Sequence, residues 1–255
     1  MALQLPSGCS QSQPASTMPS RLLVINPNST EGITTGLEES LSPLCPPGFE
    51  LDFFTAPSHA PTGISGFVTG IQTAAICFEA LSTSGAFERY DGFLVCCFTD
   101  HALQHMIREH LGPTSPKPCI GMFEAGISKA LILSRKFGVL STGFGPKPLL
   151  SKGVSSFLGA SGSEKWVGGV TSGIKIEELR EADEREKVER LMKETAAKVA
   201  ALGADCIILG CAGMAGMEQL VLEGVKEAGL QDVRVIDAAK AGLVMLAGMV
   251  MTDKQ

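Results

Sequence analysis

The chain has 255 residues, room for one large domain or two small ones, and its 44% hydrophobic and 19% charged residues are those of a globular protein. A net charge of −6 leaves no basic footprint for nucleic acid or an anionic membrane, and one Trp and one Tyr leave few platforms for stacking bases. Eight Cys are too sparse for a disulfide scaffold and lack zinc-type spacing, and four His are a small stock for imidazole chemistry.

Residues 1–20 hold no charged side chain and no apolar run of signal-peptide length, so they read as a disordered tail, with Met18 as an alternative start. Short apolar runs bounded by Gly, Pro or Asp then predict strands at 21–26, 49–54, 92–96, 118–122, 137–141, 166–170, 206–210 and 233–236. Helical patterns follow most of them. The clearest spans 181–202, with i,i+4 charge pairs, an apolar stripe and a stop at Gly203. The longest apolar stretch, 241–251, is too short to span a bilayer. Buried strands alternating with helices predict an α/β fold with parallel sheets. With no export signal the expected compartment is the cytoplasm, where cysteines stay reduced.

The chain repeats itself. Tyr90-Asp-Gly-Phe-Leu-Val-Cys-Cys-Phe-Thr-Asp100 and Ala204-Asp-Cys-Ile-Ile-Leu-Gly-Cys-Ala-Gly-Met214 each run from an Asp through apolar residues to a Cys, which aligns Cys97 with Cys211. The same interval separates 118–122 from 232–236, with acidic Glu124 and Asp237 following. Leu23-Val-Ile-Asn26 pairs with Val139-Leu-Ser-Thr142 at nearly that interval. The expectation is two similar open parallel-sheet, Rossmann-like lobes related by pseudo-twofold symmetry, with a cleft between them. Each half would be about 115 residues long.

Ligands of open parallel sheets bind beyond the carboxyl ends of the strands, where both Cys97 and Cys211 are expected. Each thiol would be followed by a helix N-terminus that favours a thiolate. Two opposed thiols suit racemisation: one removes a proton from a carbon beside a carbonyl, the other delivers one to the opposite face, and no cofactor is needed. Candidate substrate contacts are the backbone or side chains of Asn26, Phe54, Phe98, Thr99, Ser141, Thr142, Gly143, Ala212 and Gly213, all at or just past strand ends.

Other groups have blander readings. Cys77, Cys96, Cys119 and Cys206 lie in apolar runs and read as core, with Cys96 on the face opposite Cys97. Cys9 and Cys45 read as loop residues. Cys97, His101 and His105 have a spacing that could hold a soft metal, but no Cys-x-x-Cys or His-Glu-x-x-His accompanies them, so no metal is expected. His101 remains a candidate to touch substrate or tune Cys97. Asp100, Glu124 and Asp237 read as helix caps, Asp91 and Asp205 as turn residues. Gly143-Phe-Gly145 lacks both a dinucleotide fingerprint and a Walker lysine.

On Ile25-Asn-Pro-Asn-Ser-Thr30, Cys97-Phe-Thr-Asp100, Phe123-Glu-Ala125, Val139-Leu-Ser-Thr142 and Leu209-Gly-Cys-Ala-Gly-Met214, the chain resembles the aspartate/glutamate/hydantoin racemase superfamily, within it the hydantoin and allantoin racemase branch. The resemblance runs from about Arg21 to Val250. It implies a cofactor-independent two-base mechanism with Cys97 and Cys211 as proton donor and acceptor, a cyclic ureide as the small-molecule substrate, and a homo-oligomer. It also implies that the C-terminal strand and helix return to the first half, which puts the lobes at 21–119 plus 232–255 and at 120–231. Glutamate and aspartate racemases usually place Thr-His after the second Cys, whereas this chain has Ala212-Gly213. The chain departs from the hydantoin pattern at Thr99, usually Gly, at His101, usually Pro, and after Thr142, where an Arg is often seen. An amino-acid racemase, a one-Cys decarboxylase, a hydrolase built on Cys97 and His101, and a sensor that has lost catalysis remain alternatives.

Overall fold

The computed structural model describes residues 18–143, 145 and 148–253. The expected tail lies outside these residues up to position 17, and Cys9 with it. The first half runs β1 (Ser20–Asn26), α1 (Glu31–Leu41), β2 (Phe49–Thr55), α2 (Phe67–Thr83), the short α3 (Ala86–Arg89), β3 (Gly92–Val95), α4 (Ala102–Leu111), β4 (Cys119–Gly121) and α5 (Met122–Leu133). The second runs β5 (Phe137–Ser141), α6 (Pro148–Leu158), β6 (Trp166–Thr171), α7 (Arg185–Ala201), β7 (Cys206–Leu209), α8 (Glu218–Glu227), β8 (Arg234–Asp237) and α9 (Ala238–Asp253). All eight expected strands are present. The helix expected from 181 starts later, because Glu177–Arg180 and Ala182–Glu184 form separate 3-10 turns before it.

The strands form two parallel four-stranded sheets of matching order, β2-β1-β3-β4 and β6-β5-β7-β8. The match extends to single hydrogen bonds. Cys96 N–H donates to Ile25 O at 2.8 Å, and Gly210 N–H donates to Leu140 O at 2.7 Å. At the other end Asp91 N–H donates to Arg21 O and Asp205 N–H to Lys136 O, while each Asp carboxylate accepts from the backbone N–H of the residue it faces. Asp91 and Asp205 thus staple the first strand of each half to the third. The register makes Ser141, not Thr142, the equivalent of Asn26. The repeat read from sequence slips there by one residue, a slip that would exchange the two faces of a strand.

Alternation sorts the strand side chains. Leu22, Val24, Leu94, Cys96, Val139, Cys206 and Ile208 enter a central core shared by both halves. Leu23, Ile25, Phe93 and Val95 enter an outer core under α2 and α4, and Leu140, Ile207 and Leu209 one under α7 and α8. With helices on both faces, the central strands β1, β3, β5 and β7 read as apolar runs, whereas the edge strand β2 carries Glu50 and Asp52.

The halves exchange helices. α5 follows β4 of the first sheet but packs on β7, β8 and α9; α9 follows β8 of the second sheet but packs on β3, β4 and α1. The sequence assigns both the last strand and the last helix to the first half. The structure corrects the strand: β8 stays in register with β7, Arg234 to Asp237 beside Cys206 to Leu209, and only α9 crosses. The crossing encloses Ala238, Ala241, Leu243, Leu246 and Val250 of α9, while Val244, Met249 and Met251 on the same helix are exposed. Gly242 lets it approach, since a Cβ there would sit 2.5 Å from Leu94 Cδ1. Among the described residues no helix is long and apolar enough to cross a membrane.

Candidate active site

Each candidate thiol lies one residue beyond the last bond that its strand gives to the neighbouring strand: Cys97 after Cys96, Cys211 after Gly210. Both are half-buried, at the carboxyl ends of the central strands of their sheets. The two segments touch. The ring of Phe98, next to Cys97, lies 3.4 Å from where a Cβ of Gly210, next to Cys211, would stand, and 3.2 Å from the corresponding point on Gly126 of α5. Its other partner is Phe123, edge-on with centroids 5.2 Å apart. Phe98 is therefore a packing residue that joins the two lobes beside the strand end of Cys211.

The remaining cysteines separate cleanly. Burial pushes the thiols of Cys77, Cys119 and Cys206 up to about 12, and that of Cys96 well above its ordinary value. These four are protonated core residues at neutral pH. Cys45 is half-buried, and its thiol donates toward Phe49 O at 3.3 Å. The Thr99 hydroxyl lies 3.3 Å from the Cys97 sulfur.

The loop after β1 is held by its own side chains. The Asn26 amide donates to Thr30 O at 3.1 Å and Thr34 Oγ1 at 3.0 Å, and its oxygen accepts from Asn28 N–H at 3.2 Å. Both amide hydrogens are engaged inside the protein, so Asn26 shapes the loop. Ser29 Oγ donates to Ala60 O and Thr30 Oγ1 to Thr62 O, which draws in the segment that follows β2. Phe54 packs half-buried against the outer core of the first half. On the second lobe the buried Ser141 hydroxyl donates to Gly210 O at 3.3 Å. Gly143 has a φ of +80°, which favours glycine, and exchanges backbone bonds of 2.8 Å with Ile174 and Gly173. Thr142 is buried beside it. Ala212 and Gly213 are buried in a 3-10 turn, Ala212–Met214, for which Cys211 is the N-cap residue.

His101 is not a free base. It caps α4, its Nδ1 accepting from Leu103 N–H at 3.3 Å. Nε2 lies 3.1 Å from Thr73 Oγ1, whose own hydrogen goes to Gly70 O, so the ring carries its proton on Nε2. Burial drops its pKa to about 4. The cap expected from Asp100 falls to His101, and Asp100 pairs instead with His105 Nε2 at 2.6 Å. Glu124 does cap α5, accepting from Gly121 N–H at 3.1 Å while Arg108 holds both its oxygens. Asp237 caps α9 through Ala239 and Lys240 N–H, and its second oxygen accepts from Gly216 N–H at 3.0 Å.

Sequence reasoning missed Arg180. From the turn Glu177–Arg180 its Nε donates to Gly213 O at 3.0 Å and its Nη2 to Ala215 O at 2.5 Å, gripping the loop that follows Cys211. It lies against α1 of the other half, where a Cβ on Gly36 would fall 2.6 Å from the guanidinium carbon. The only sequence trace is Gly32 and Gly36, one helical turn apart on α1.

A family profile described as Asp/Glu/Hydantoin racemase matches residues 22–246. An uncharacterized protein of Schizosaccharomyces pombe is 36% identical over 240 residues, covering 92% of this chain and 95% of that protein. A hydantoin racemase of Rhizobium meliloti is 29% identical over 196 residues, 76% of each chain. Among solved structures, an allantoin racemase from Klebsiella pneumoniae superposes with a TM-score of 0.74 at 21% identity, covering 91% of this chain and 88% of that one.

Proposed function

We propose that this chain, which belongs to the Asp/Glu/hydantoin racemase family, racemises 5-substituted hydantoins, with allantoin as the first substrate to test. The carrying observation is the pair of half-exposed thiols at equivalent strand ends of two sheets, with their flanking residues, Phe98 and Gly210, in contact. One sulfur, as thiolate, removes the hydrogen on C5. The electron pair moves into the neighbouring C4 carbonyl. The other sulfur, as thiol, delivers its proton to the opposite face. The product is the other enantiomer, and the enzyme is left with the two protonation states exchanged. Nothing is oxidised or reduced, and no cofactor enters. The uncharged Ala212-Gly213 after the second thiol suits a neutral ureide, and the hydantoin and allantoin racemases among the relatives support the same class. The thiol chemistry fits a reducing compartment, which favours the cytoplasm.

One enantiomer of allantoin incubated with the protein in deuterated water should lose optical activity and gain deuterium at C5. Cys97→Ser and Cys211→Ser should each lower racemisation by about 10²-fold or more. One-sided isotope exchange can survive in either variant. Full racemisation by both single variants would overturn the two-thiol mechanism. Activity on aspartate or glutamate, with none on hydantoins, would move the chain to the amino-acid branch.

A further inference from the structure

Two loops that occupy the same place in the repeat meet across the lobes. β2 and β6 are the matching edge strands of their sheets, and the segments that follow their carboxyl ends, 56–66 and 172–180, touch each other. Thr62 Oγ1 donates to Glu177 Oε1 at 3.1 Å, and a Cβ on Gly63 would stand 3.1 Å from Ile176 Cδ1. We propose that this contact is the latch of a gate over the two thiols, and that a small substrate enters and leaves where Thr62 and Glu177 part. The inference rests on the reading of Cys97 and Cys211 as the reacting groups and adds the step that admits substrate to them.

Both loops belong to the end of the sheets where the thiols stand. Cys97 follows β3 and Cys211 follows β7, and the strands paired with these, β1 and β5, carry the loops on which the latch is mounted. In the first lobe Ser29 N–H donates to Pro61 O at 3.2 Å and Thr30 Oγ1 to Thr62 O at 2.8 Å, which stitches the latch to the loop after β1. In the second lobe Gly143 N–H donates to Ile174 O at 2.8 Å, while Arg180 holds the far end through the carbonyls of Gly213 and Ala215. Glu177 therefore rides on a span anchored beside β5 at one end and on the loop that follows Cys211 at the other.

The seam between the two loops is a weak join between the lobes. Elsewhere the lobes meet through the exchanged α5 and α9, the shared core, and Arg180 against α1, and parting them there would expose buried surface. Among the described residues one hydrogen bond joins the two loops, and both of its side chains are exposed. Water replaces such a bond at little net cost. Proton exchange between two sulfurs and a carbon gains from excluding water while it proceeds and needs an opening before and after. A join that breaks easily, mounted on loops that are firmly stitched, supplies both.

The test is the rate at which N-ethylmaleimide labels Cys97 and Cys211 at fixed pH, read by peptide mass spectrometry, with the buried Cys77 and Cys206 as internal controls. It needs no substrate. Thr62→Val and Glu177→Ala each break the latch and should raise labelling of both thiols about threefold or more, as expected when one hydrogen bond holds a gate shut. The double variant should gain no more than either single one. Thr62→Ser keeps the donor, and Glu177→Gln keeps the acceptor without the charge, so both should label at the wild-type rate. Unchanged labelling in Thr62→Val and Glu177→Ala, additive gains in the double variant, or equal gains at Cys77 and Cys206 of a folded variant would overturn the latch. If one substitution unfolds the protein, the other, on the opposite loop, decides. In racemisation the two variants should raise KM more than they lower kcat; a lowered kcat at unchanged KM would put the pair in the chemistry and overturn the latch as well. Gated labelling in a protein that racemises no hydantoin would keep the latch and overturn the proposed function.

Discussion

The imidazole of His101 titrates near pH 4 in the folded chain because burial disfavours its charged form, with the Asp100 carboxylate opposing that only in part. Unfolding returns it to about 6.5. Between these values the unfolded chain binds a proton that the folded chain refuses, so this residue's contribution is intact above pH 6.5 and is lost as the pH falls toward 4. The gap corresponds to about 3 kcal/mol at full extent. His101→Asn keeps an acceptor for Leu103 N–H and removes the titration. In urea melts at pH 7 and pH 5 the wild-type midpoint should fall on acidification, and the variant's should fall much less. Equal losses in both proteins would show that other groups govern the acid limb. The equivalent places of Cys97 and Cys211 at strand ends could be read from sequence because a repeat marks them twice. The fate of His101 could not, because it is decided by Thr73 on α2, whose approach no local pattern announces. Arg180 was hidden for the same reason, since its partners are the carbonyls of Gly213 and Ala215 and the bare side of α1.

At the scale of elements, α9 carries two glycines with opposite duties. Gly242 faces Leu94 so closely that an added Cβ would stand 2.5 Å from Cδ1, whereas a Cβ on Gly248 would meet nothing within 4 Å. Ala is favoured over Gly in a helix by about 1 kcal/mol, and crowding a packed core costs about 1–3 kcal/mol. Gly248→Ala should therefore raise stability by roughly 0.5–1 kcal/mol, and Gly242→Ala should leave it unchanged or lower it by up to about 2 kcal/mol. Urea denaturation of the two variants checks the difference in sign, and a stabilised Gly242→Ala would mean that α9 does not press on β3 as described. The strands were legible because runs such as Leu22–Ile25 and Ile207–Leu209 are apolar throughout and bounded by turn residues. The start of α7 was misplaced because the charged residues from 181 to 184 continue the helical charge pattern while folding as a 3-10 turn. The destination of β8 was misjudged because it was taken from the resemblance, whereas the repeat, which pairs β8 with β4, leaves it at the end of the second half, where it pairs with β7.

For the molecule as a whole, the crossing of α5 and α9 joins the two halves into one folding unit. Each sheet has its own four strands, but part of the cover of each is a helix that follows the other sheet's last strand. The central core correspondingly mixes Leu94, Phe98 and Ile120 with Val139, Ile208 and Leu246. Opening either half alone would expose that shared surface, so a partly unfolded state with one intact lobe loses contacts on both sides. Two buried thiols report on this, one in an outer core and one facing the shared core. Cys77 lies in the outer core of the first half, and Cys206 is on β7 of the second, each fully enclosed. Pulsed alkylation along a urea gradient should expose both at the same midpoint, coincident with loss of the helical circular dichroism signal. A protein with merely juxtaposed lobes would expose one thiol before the other, and that result would contradict the exchange of helices as a source of cooperativity. The same interlocking bears on the site: with Phe98 wedged against Gly126 and Gly210, and Arg180 pressed on Gly36, the two thiols are held from both lobes at once. Truncation after Asp237 therefore removes the helix over β3 and β4 and should abolish folding of both halves, read as simultaneous exposure of Cys77 and Cys206 without denaturant.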